Sequence, residues 1–130
     1  MKFDWSVDNG DNCGFGFFRA NSNPAGIAAL IAVTAESAVI VVHDQTPTFY
    51  TNDGAVNETT DVSAHISDNT WFDGEIIISA SDVKLYIDET LRATHSVRVP
   101  SAVWQLVLGA TCVNDTNQYT FAEYAQVWGE

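Results

Sequence analysis

Alternation of apolar and polar residues is the feature that most constrains how this chain folds. It is clearest in "VKLYID", where Val83, Leu85 and Ile87 alternate with Lys84 and Tyr86. Successive side chains of a β-strand point to opposite faces, so a period of two predicts a strand with one buried face. The apolar residues are therefore expected to face a core, and the polar ones to face outward.

The same pattern recurs along most of the chain. Half-buried strands are predicted at "KFDWSV", "CGFGFFRA", "TPTFYT", "TTDVSAHI", "TWFDGEIIIS", "VWQLVLGAT" and "YTFAEYAQVW", and fully buried ones at "GIAALIAV" and "AVIVVHD". In "TTDVSAHI" the alternation turns Val62, Ala64 and Ile66 inward. No segment has the apolar stripe of an amphipathic helix. We therefore predict a single all-β domain over residues 1–130, an antiparallel β-sandwich or jelly roll of about ten short strands.

The charge of the chain excludes some classes of partner. Seventeen acidic residues face five basic ones, which gives a net charge of −12. Nucleic acids and anionic lipid surfaces attract basic proteins, so neither is expected as a partner. The acidity suits solubility, cation binding, a basic partner or a salty environment, and it does not choose among them.

The N-terminus and one apolar run bear on membranes. "MKFDWSVDNG" lacks the apolar segment of a secretory signal, so none is predicted. The run from Ala25 to Val42 is almost long enough to span a bilayer, but Glu36 lies past its middle. A central acid costs about 2.5–3.5 kcal/mol on insertion scales. Two strands joined by a turn at "TAES" explain the run without that cost, so we predict no membrane insertion.

Cysteine and histidine residues give little support to redox or metal chemistry. A disulfide between Cys13 and Cys112 would close a loop of nearly the whole chain. Without a secretion signal, two buried thiols are the favoured interpretation. His43, His65 and His95 lie on or beside predicted strands without the spacing of metal ligands. Surface or hydrogen-bonded histidines are expected, rather than ligands or general bases.

The segment from residue 69 to 128 carries a family resemblance. It reads "NTWFDGEIIISASDVKLYIDETLRATHSVRVPSAVWQLVLGA" and continues to a final strand that ends in "VW". It resembles the C-terminal half of concanavalin A-like lectin/glucanase domains, which have a tryptophan-led strand and a "V-K-x-Y-I-D-G-T" hairpin. Trp71, the hairpin arm from Val83 to Asp88, and Pro100 at its exit carry the match. "GFGFF" is similar to an early strand of the same domains.

The resemblance implies a concanavalin A-like β-sandwich. Because many such domains occur in phage and other virion proteins, it also implies a structural module of a virus particle. The chain departs from the family at Glu89, where a glycine normally stands in the hairpin turn. A tight type I′ turn needs a positive φ there, so we predict a wider turn. A length of 130 residues is short for this fold, so peripheral strands or loops are expected to be missing, which weakens the inference of a sugar cleft.

The catalytic acids of related glucanases are not found. Those enzymes carry E-x-D-x-x-E on one strand, so that a nucleophile and a general acid flank the scissile bond. The nearest match is Asp73 with Glu75, and the third position is Ile78. Two solvated acids on an outward face are the favoured interpretation, with a small glycoside hydrolase as the minor alternative. We therefore predict a protein that is not an enzyme.

Aromatic and basic residues of the outward-facing phase are the better candidates for binding. Trp71 and Tyr86 could stack on sugars or partner chains, unless a second sheet or a neighbouring subunit covers them. Lys84, Arg92 and Arg98 form a small basic island in an acidic chain. Cross-strand ion pairs explain most of this island. The alternative is an interface in which like subunits present acidic surface to Arg92 and Arg98.

The turn "DNGDN" offers a candidate metal site. Asp8 and Asp11 bring hard oxygen ligands of the kind that calcium takes, with two amides between and beside them. Asn-Gly is also the strongest hairpin signal, so a turn alone explains the segment equally directly. The turn is the favoured interpretation, and a calcium site is the alternative.

Two functions follow as hypotheses. The first is a non-catalytic structural or interaction module on a virus particle, such as a capsid decoration or a tail or fibre component. It implies protein partners, a homo-oligomer and no cofactor. The second is a carbohydrate-binding, lectin-like module that uses Trp71 and Tyr86, assisted by calcium at Asp8 and Asp11. Fold does not fix function, so the site itself has to choose between them.

Overall fold

The computed structural model describes residues 1–4, 12–19, 36–43, 45–101, 104–111 and 119–122. Every regular element among them is a β-strand. The strands are β1 (Lys2–Asp4), β2 (Asn12–Arg19), β3 (Ser37–His43), β4 (Thr46–Asn52), β5 (Asn57–Asp61), β6 (Gly74–Ile78), β7 (Val83–Ile87), β8 (Thr90–His95), β9 (Trp104–Thr111) and β10 (Tyr119–Phe121). Strands β2 to β9 have five residues or more, whereas β1 and β10 have three each.

The strands form antiparallel sheets, as predicted. A five-stranded sheet has the order β5-β4-β3-β2-β9, and a three-stranded sheet has the order β6-β7-β8. β1 and β10 form a separate two-stranded ribbon. The all-β class and the antiparallel pairing are therefore confirmed for the described part of the chain.

The N-terminal segment ties the ribbon to the chain that leads into β6. The backbone N–H of Phe72 donates to the carbonyl oxygen of Met1 at 2.7 Å, and that of Asn69 donates to the carbonyl oxygen of Phe3 at 2.8 Å. The terminal ammonium of Met1 donates in turn to the carbonyl of Phe72. The first residues therefore have hydrogen-bond partners on both sides, on β10 and on the segment before β6.

The inner faces of the two larger sheets share one core. Alternate residues of β3 and of β7 are almost completely buried in it; they are Ala38, Ile40 and Val42 on β3, and Val83, Leu85 and Ile87 on β7. The inward phase predicted for β7 is confirmed. Burying an aliphatic side chain of this size stabilises a fold by about 1.5–3 kcal/mol. Two antiparallel sheets with a common apolar core are consistent with a β-sandwich.

An aromatic cluster fills one part of this core. The ring centroids of Phe3 and Phe72 lie 5.3 Å apart, and Phe15 lies 6.1 and 6.3 Å from them. A β-carbon on Gly74 would lie 2.6 Å from Cζ of Phe15. Glycine at position 74 therefore lets this ring pack directly against the backbone of β6. The cluster joins β1, β2 and the start of β6.

β3 is buried on both faces. Val39 and Val41 point away from the shared core, yet both are fully buried, with Phe18 and Tyr50 packed against them. A central strand covered on both sides has a continuous apolar run, which explains "AVIVV". The buried strand predicted there is confirmed. The strand predicted at "GIAALIAV" lies outside the described residues, as does Cys112, whereas Cys13 is buried on β2.

The chain turns earlier than the alternation after β5 suggests. The backbone N–H of Val62 donates to the carbonyl oxygen of Pro47 at 3.0 Å, and that of His65 donates to the carbonyl oxygen of Val62 at 2.9 Å. Val62 and Ile66 are buried, as predicted, but Ala64 is exposed. The inward placement of Ala64 was wrong because the strand ends and a turn begins, so the period of two no longer applies.

The turn between β7 and β8 is tighter than predicted. Ile87 pairs with Thr90, which leaves Asp88 and Glu89 as a two-residue loop with φ angles of 49° and 61°. Two successive positive φ angles are typical of a type I′ turn. The prediction of a wider turn was wrong. The backbone N–H of Asp88 donates to the carbonyl of Asp73, and the Asp88 carboxylate accepts from the Asp73 N–H, each at 2.9 Å.

We predict that Glu89→Gly stabilises the protein. An L-residue in the left-handed region is strained by about 1–2 kcal/mol. Glycine removes this strain, but its greater conformational freedom in the unfolded chain offsets part of the gain in stability. We expect a net gain of about 0.5–1 kcal/mol in the free energy of unfolding, measured by urea denaturation. Asp88→Gly is the matched control. It relieves the same kind of strain but loses the hydrogen bond to Asp73, so a gain equal to that of Glu89→Gly would contradict this account.

Candidate binding surface

The three-stranded sheet has one face in the core and an opposite face that we call the outer face. Two rows of paired residues form it: Glu75, Tyr86 and Leu91 in one row, and Ile77, Lys84 and Thr94 in the other. Ile77 is 43% exposed and Leu91 is 48% exposed. The outer face therefore carries accessible aliphatic side chains beside a tyrosine, a lysine and an acid.

A β-bulge on β8 sets which residues reach the outer face. Leu85 lies opposite Ala93, but Tyr86 lies opposite Leu91, so Arg92 is an additional residue in β8. A bulge of this kind reverses the alternation on the strand that carries it. Leu91 is consequently exposed while Ala93, two residues later, is buried. The sequence pattern alone would have placed both on one face.

Arg92 has an unusual environment at this bulge. Its Nε atom is buried and has no hydrogen-bond partner in the described part of the chain. A buried donor without a partner is unfavourable, because it loses its bonds to water on folding. The structure thus places Arg92 between the exposed Leu91 and the buried Ala93 and holds its Nε atom away from solvent.

Lys84 lies on the outer face with an acid beside it. Its ammonium nitrogen is 3.3 Å from Oδ2 of Asp82. The Ser79 hydroxyl, which donates to the Asp82 carboxylate at 2.7 Å, is the main cause of a lowered pKa for Asp82, and Lys84 adds to it. Asp82 immediately precedes β7, so this ion pair lies within one segment of the chain and is not one of the cross-strand pairs expected for the basic island.

The structure separates the two aromatic candidates. Tyr86 lies half-buried within a row of the outer face. Trp71 is 53% exposed, but it precedes β6 and pairs with Lys2 of β1 in an isolated bridge. The Lys2 ammonium lies 5.8 Å from the centroid of the indole ring and donates to Oδ1 of Asn69 at 2.7 Å. Trp71 is therefore accessible, with a cation–π contact, but it is not part of the rows that contain Tyr86.

Arg98 also lies apart from the outer face. Its Nη1 is 3.0 Å from Oδ2 of Asp53, and the backbone N–H groups of Val97 and Arg98 donate to Oε2 of Glu58 at 3.0 and 3.2 Å. The Val56 N–H and the Arg98 guanidinium are the leading causes of a lowered pKa for the Asp53 carboxyl. These contacts fasten the segment after β8 to the edge of the five-stranded sheet. Arg98 therefore has an acidic partner within its own chain.

His95 connects the two sheets, a role that the sequence did not indicate. It is 2% exposed on β8, and its Nδ1 and Nε2 each lie 2.9 Å from a threonine hydroxyl, of Thr51 on β4 and Thr60 on β5. Its ring stacks on Phe49 with a centroid distance of 4.8 Å. The expectation of a hydrogen-bonded histidine is confirmed. Both ring nitrogens are occupied by structural contacts, which leaves neither for a metal or a substrate in this arrangement.

The remaining candidates from the sequence are the acid pair Asp73 and Glu75 and a metal site. Asp73 and Glu75 are both exposed, and the backbone N–H of Asp73 donates to the turn residue Asp88. Among the described residues, no three histidine, cysteine or acidic side chains are grouped closely enough to hold a metal ion. Asp8 and Asp11 lie outside those residues. The same described segments contain no helix that could cross a bilayer.

Comparisons with known proteins do not assign the chain to a family. A scan against protein-family models finds no match, and a search of curated proteins finds none either. The function must therefore be argued from the residues of the site.

We predict that His95 makes the stability of the protein fall at mildly acidic pH. Burial lowers the pKa of His95, and the negative charge of Glu58 opposes that effect only in part. The unfolded chain takes up a proton near pH 6.5, before the folded protein does. The stabilisation is thus complete above about pH 6.5 and is lost as the pH falls through the lowered folded pKa.

Melting temperatures between about pH 8 and pH 5 test this prediction. His95→Gln should flatten the decline that begins near pH 6.5, whatever its effect on the absolute melting temperature. His65→Gln is the matched control, since His65 is exposed. If both variants follow the wild-type profile, His95 is not the group that titrates.

We also predict that the two arginines respond differently to charge reversal. Arg98→Glu places a carboxylate against Asp53, so this variant should unfold at a lower urea concentration than the wild type. Arg92→Glu breaks no ion pair in the described part of the chain and should leave Asp53 unaffected. Urea denaturation of both variants, with the Asp53 pKa followed by NMR, measures the difference. A raised Asp53 pKa in the Arg92 variant alone would contradict this assignment.

Proposed function

We propose that the chain is a non-catalytic structural or interaction module that binds a protein partner through the outer face of its three-stranded sheet. The exposure of Ile77 and Leu91 is the observation that carries this proposal. Aliphatic side chains that are nearly half exposed on one sheet face are typical of an interaction surface when polar groups surround them. Lys84 and Glu75 supply charges at that surface that orient a partner.

The sheet beneath the outer face is suited to such a role. The side chains of Leu85 and Ile87, on the opposite face of β7, are fixed in the core, so the rows above them have little freedom to rearrange. A rigid platform binds without a large loss of conformational entropy. We also propose that the β-sandwich is a concanavalin A-like jelly roll. The segment from Trp71 to Pro100, which resembles domains of that family, supports this.

We place this module on a virus particle, as a capsid decoration or a tail or fibre component. The support is the same sequence resemblance, since domains of this kind are frequent in virion proteins. The net charge of −12 fits a partner lattice with basic surface. Like subunits are the second class of partner, and Arg92, whose Nε has no hydrogen-bond partner in the described part of the chain, is the basic residue proposed to meet their acidic residues.

A carbohydrate-binding module is the second candidate, and the exposed ring of Trp71 favours it. More than half of this side chain is accessible. An indole ring of this kind stacks on the apolar face of a sugar. In this alternative Trp71 and Tyr86 contact the glycan at separate points, and calcium at Asp8 and Asp11 assists.

We predict that Tyr86→Ala and Leu91→Ser abolish partner binding without unfolding the protein. Both residues face away from the core, so the far-ultraviolet circular dichroism should stay native. Co-sedimentation of the labelled protein with particles purified from its source measures binding to a lattice, and a glycan array with calcium and then with EDTA measures binding to sugars. Val97→Ser is the matched control, because Val97 is 69% exposed and lies off the outer face.

The outcomes separate the two functions. Lattice binding that is lost in both outer-face variants and kept in Val97→Ser supports the interaction module. Glycan binding that is lost in Trp71→Ala but kept in Leu91→Ser supports the carbohydrate-binding alternative. Native binding by both outer-face variants would overturn the placement of the site on this face.

A further inference from the structure

Strand β6 lies at the edge of the three-stranded sheet. It pairs with β7, and no other described strand pairs with it. Two hydrogen bonds beyond the ends of the strand define the phase of this pairing. The backbone N–H of Asp88 donates to the carbonyl of Asp73, and that of Ser79 donates to the carbonyl of Asp82, each at 2.9 Å. Residues 73 and 79 therefore direct their backbone groups toward the neighbouring strand.

Backbone groups alternate in direction along an antiparallel strand. Since positions 73 and 79 face β7, the odd-numbered residues between them also bond to β7. The N–H and C=O groups of Gly74, Ile76 and Ile78 consequently point to the edge away from β7, where no described strand pairs with β6. These three residues form a ready template for another strand.

The composition of this edge does not protect it. Natural edge strands discourage pairing with lysine, proline, bulges or inward-pointing charges. β6 has the sequence "GEIII", without lysine, proline, a bulge or an inward-pointing charge, and its single charge is the outward-facing Glu75. Ile76 and Ile78 are only partly buried, and Ile77 is 43% exposed. An edge strand with three successive isoleucines favours pairing with a strand of another chain.

We propose that β6 pairs with β6 of a second copy of this chain, antiparallel and centred on Ile76. A two-fold axis at Ile76 places Ile76 opposite its counterpart and Gly74 opposite Ile78 of the second copy. The backbone groups of Gly74, Ile76 and Ile78 in one copy then pair with those of the same three residues in the other copy. This gives about six backbone hydrogen bonds. The three-stranded sheets of the two copies join into one sheet of six strands.

Charge complementarity supports this register. Glu75 lies opposite Ile77 of the second copy, whose next neighbour in the row is Lys84 of that copy. The Cα atoms of Glu75 and that lysine are then two strand spacings apart, about 9.6 Å, which two long side chains bridge. The symmetry produces the same attraction twice. Lys84 also contacts Asp82 of its own chain, so the attraction across the interface adds to an existing pair.

Neighbouring registers are less favourable. Centring the pairing on Glu75 would place two carboxylates directly opposite each other, which is destabilising. Centring it on Ile77 leaves Gly74 without an opposite strand residue and reduces the hydrogen bonds to about four. A shift by a single residue would match core-facing side chains with outward-facing ones, which a two-fold pairing of sheets does not allow.

Paired cysteine variants test both the dimer and its register. We would express Glu75→Cys and Ile77→Cys separately, then oxidise each alone and the two mixed in equal amounts at about 0.15 M salt, where the net charge is screened. In the mixture, the thiol introduced at position 75 of one copy would lie directly opposite the thiol introduced at position 77 of the other. This is a non-hydrogen-bonded pair, whose side chains are close enough for a disulfide. Like positions would be diagonal and too far apart. Non-reducing gels measure the cross-linked fraction.

Cross-linking of the mixture alone supports the proposed pairing. Cross-linking of either variant by itself would indicate a different register and overturn the proposal, as would a monomer in every sample. Circular dichroism checks that each variant is folded. The wild type controls for its native cysteines.

Analytical ultracentrifugation of charge variants gives an independent measurement. Glu75→Lys and Lys84→Glu should each raise the dimer dissociation constant by about tenfold, since two symmetric attractions are lost. The double variant, which exchanges the charges, should recover most of the affinity. Equal weakening in the double variant and in the single ones would overturn the proposal.

Discussion

The contact between the inner faces of the two larger sheets is the constraint on which the rest of the structure depends. Leu85 and Ile87 from one sheet and Ile40 from the other are fully buried in it. A core this apolar admits a polar group only with its hydrogen bonds satisfied. His95 meets that condition because Thr51 supplies one partner and a second threonine supplies the other. This buried histidine thus links the two sheets, and its protonation is expected to weaken their contact at mildly acidic pH.

How much of the fold the sequence predicts depends on how local the controlling interaction is. The alternation around Leu85 predicts β7 correctly, because a regular strand repeats the same geometry at every second residue. It misplaces Ala64, since the chain turns directly after Val62, where the His65 N–H donates to the Val62 carbonyl, and the period of two ends there. It also misjudges the hairpin at Glu89. The pairing on both sides and the bonds between Asp73 and the turn hold two residues at positive φ, against their own preference.

The candidate site shows the same division. Lys84 and Tyr86 are predicted from the phase of one strand, and the structure places both on the outer face. Leu91 is missed because the bulge at Arg92 reverses the alternation of β8. The amino-acid composition of this segment does not indicate a bulge. Arg98 is close to these residues in sequence but belongs to another edge. The chain has left the sheet by then, and two acids from far earlier in the sequence hold it: Asp53 pairs with the Arg98 guanidinium, and Glu58 accepts from the Val97 N–H.

Strand order is the property that a single sequence reveals least, and both proposals depend on it. Ile77 has two roles only because β6 lies at the edge of the described three-stranded sheet: its side chain belongs to the outer face, and the adjacent backbone faces the open edge. Pairing at this edge would place the rows of two copies side by side in one continuous surface. Binding of a repetitive partner by one copy would then raise the effective concentration of the second, so that weak contacts at Tyr86 and Leu91 add up to stable attachment. Self-association and partner binding are therefore expected to strengthen each other, and a variant that removes the first should weaken the second on a lattice but not on a single isolated partner.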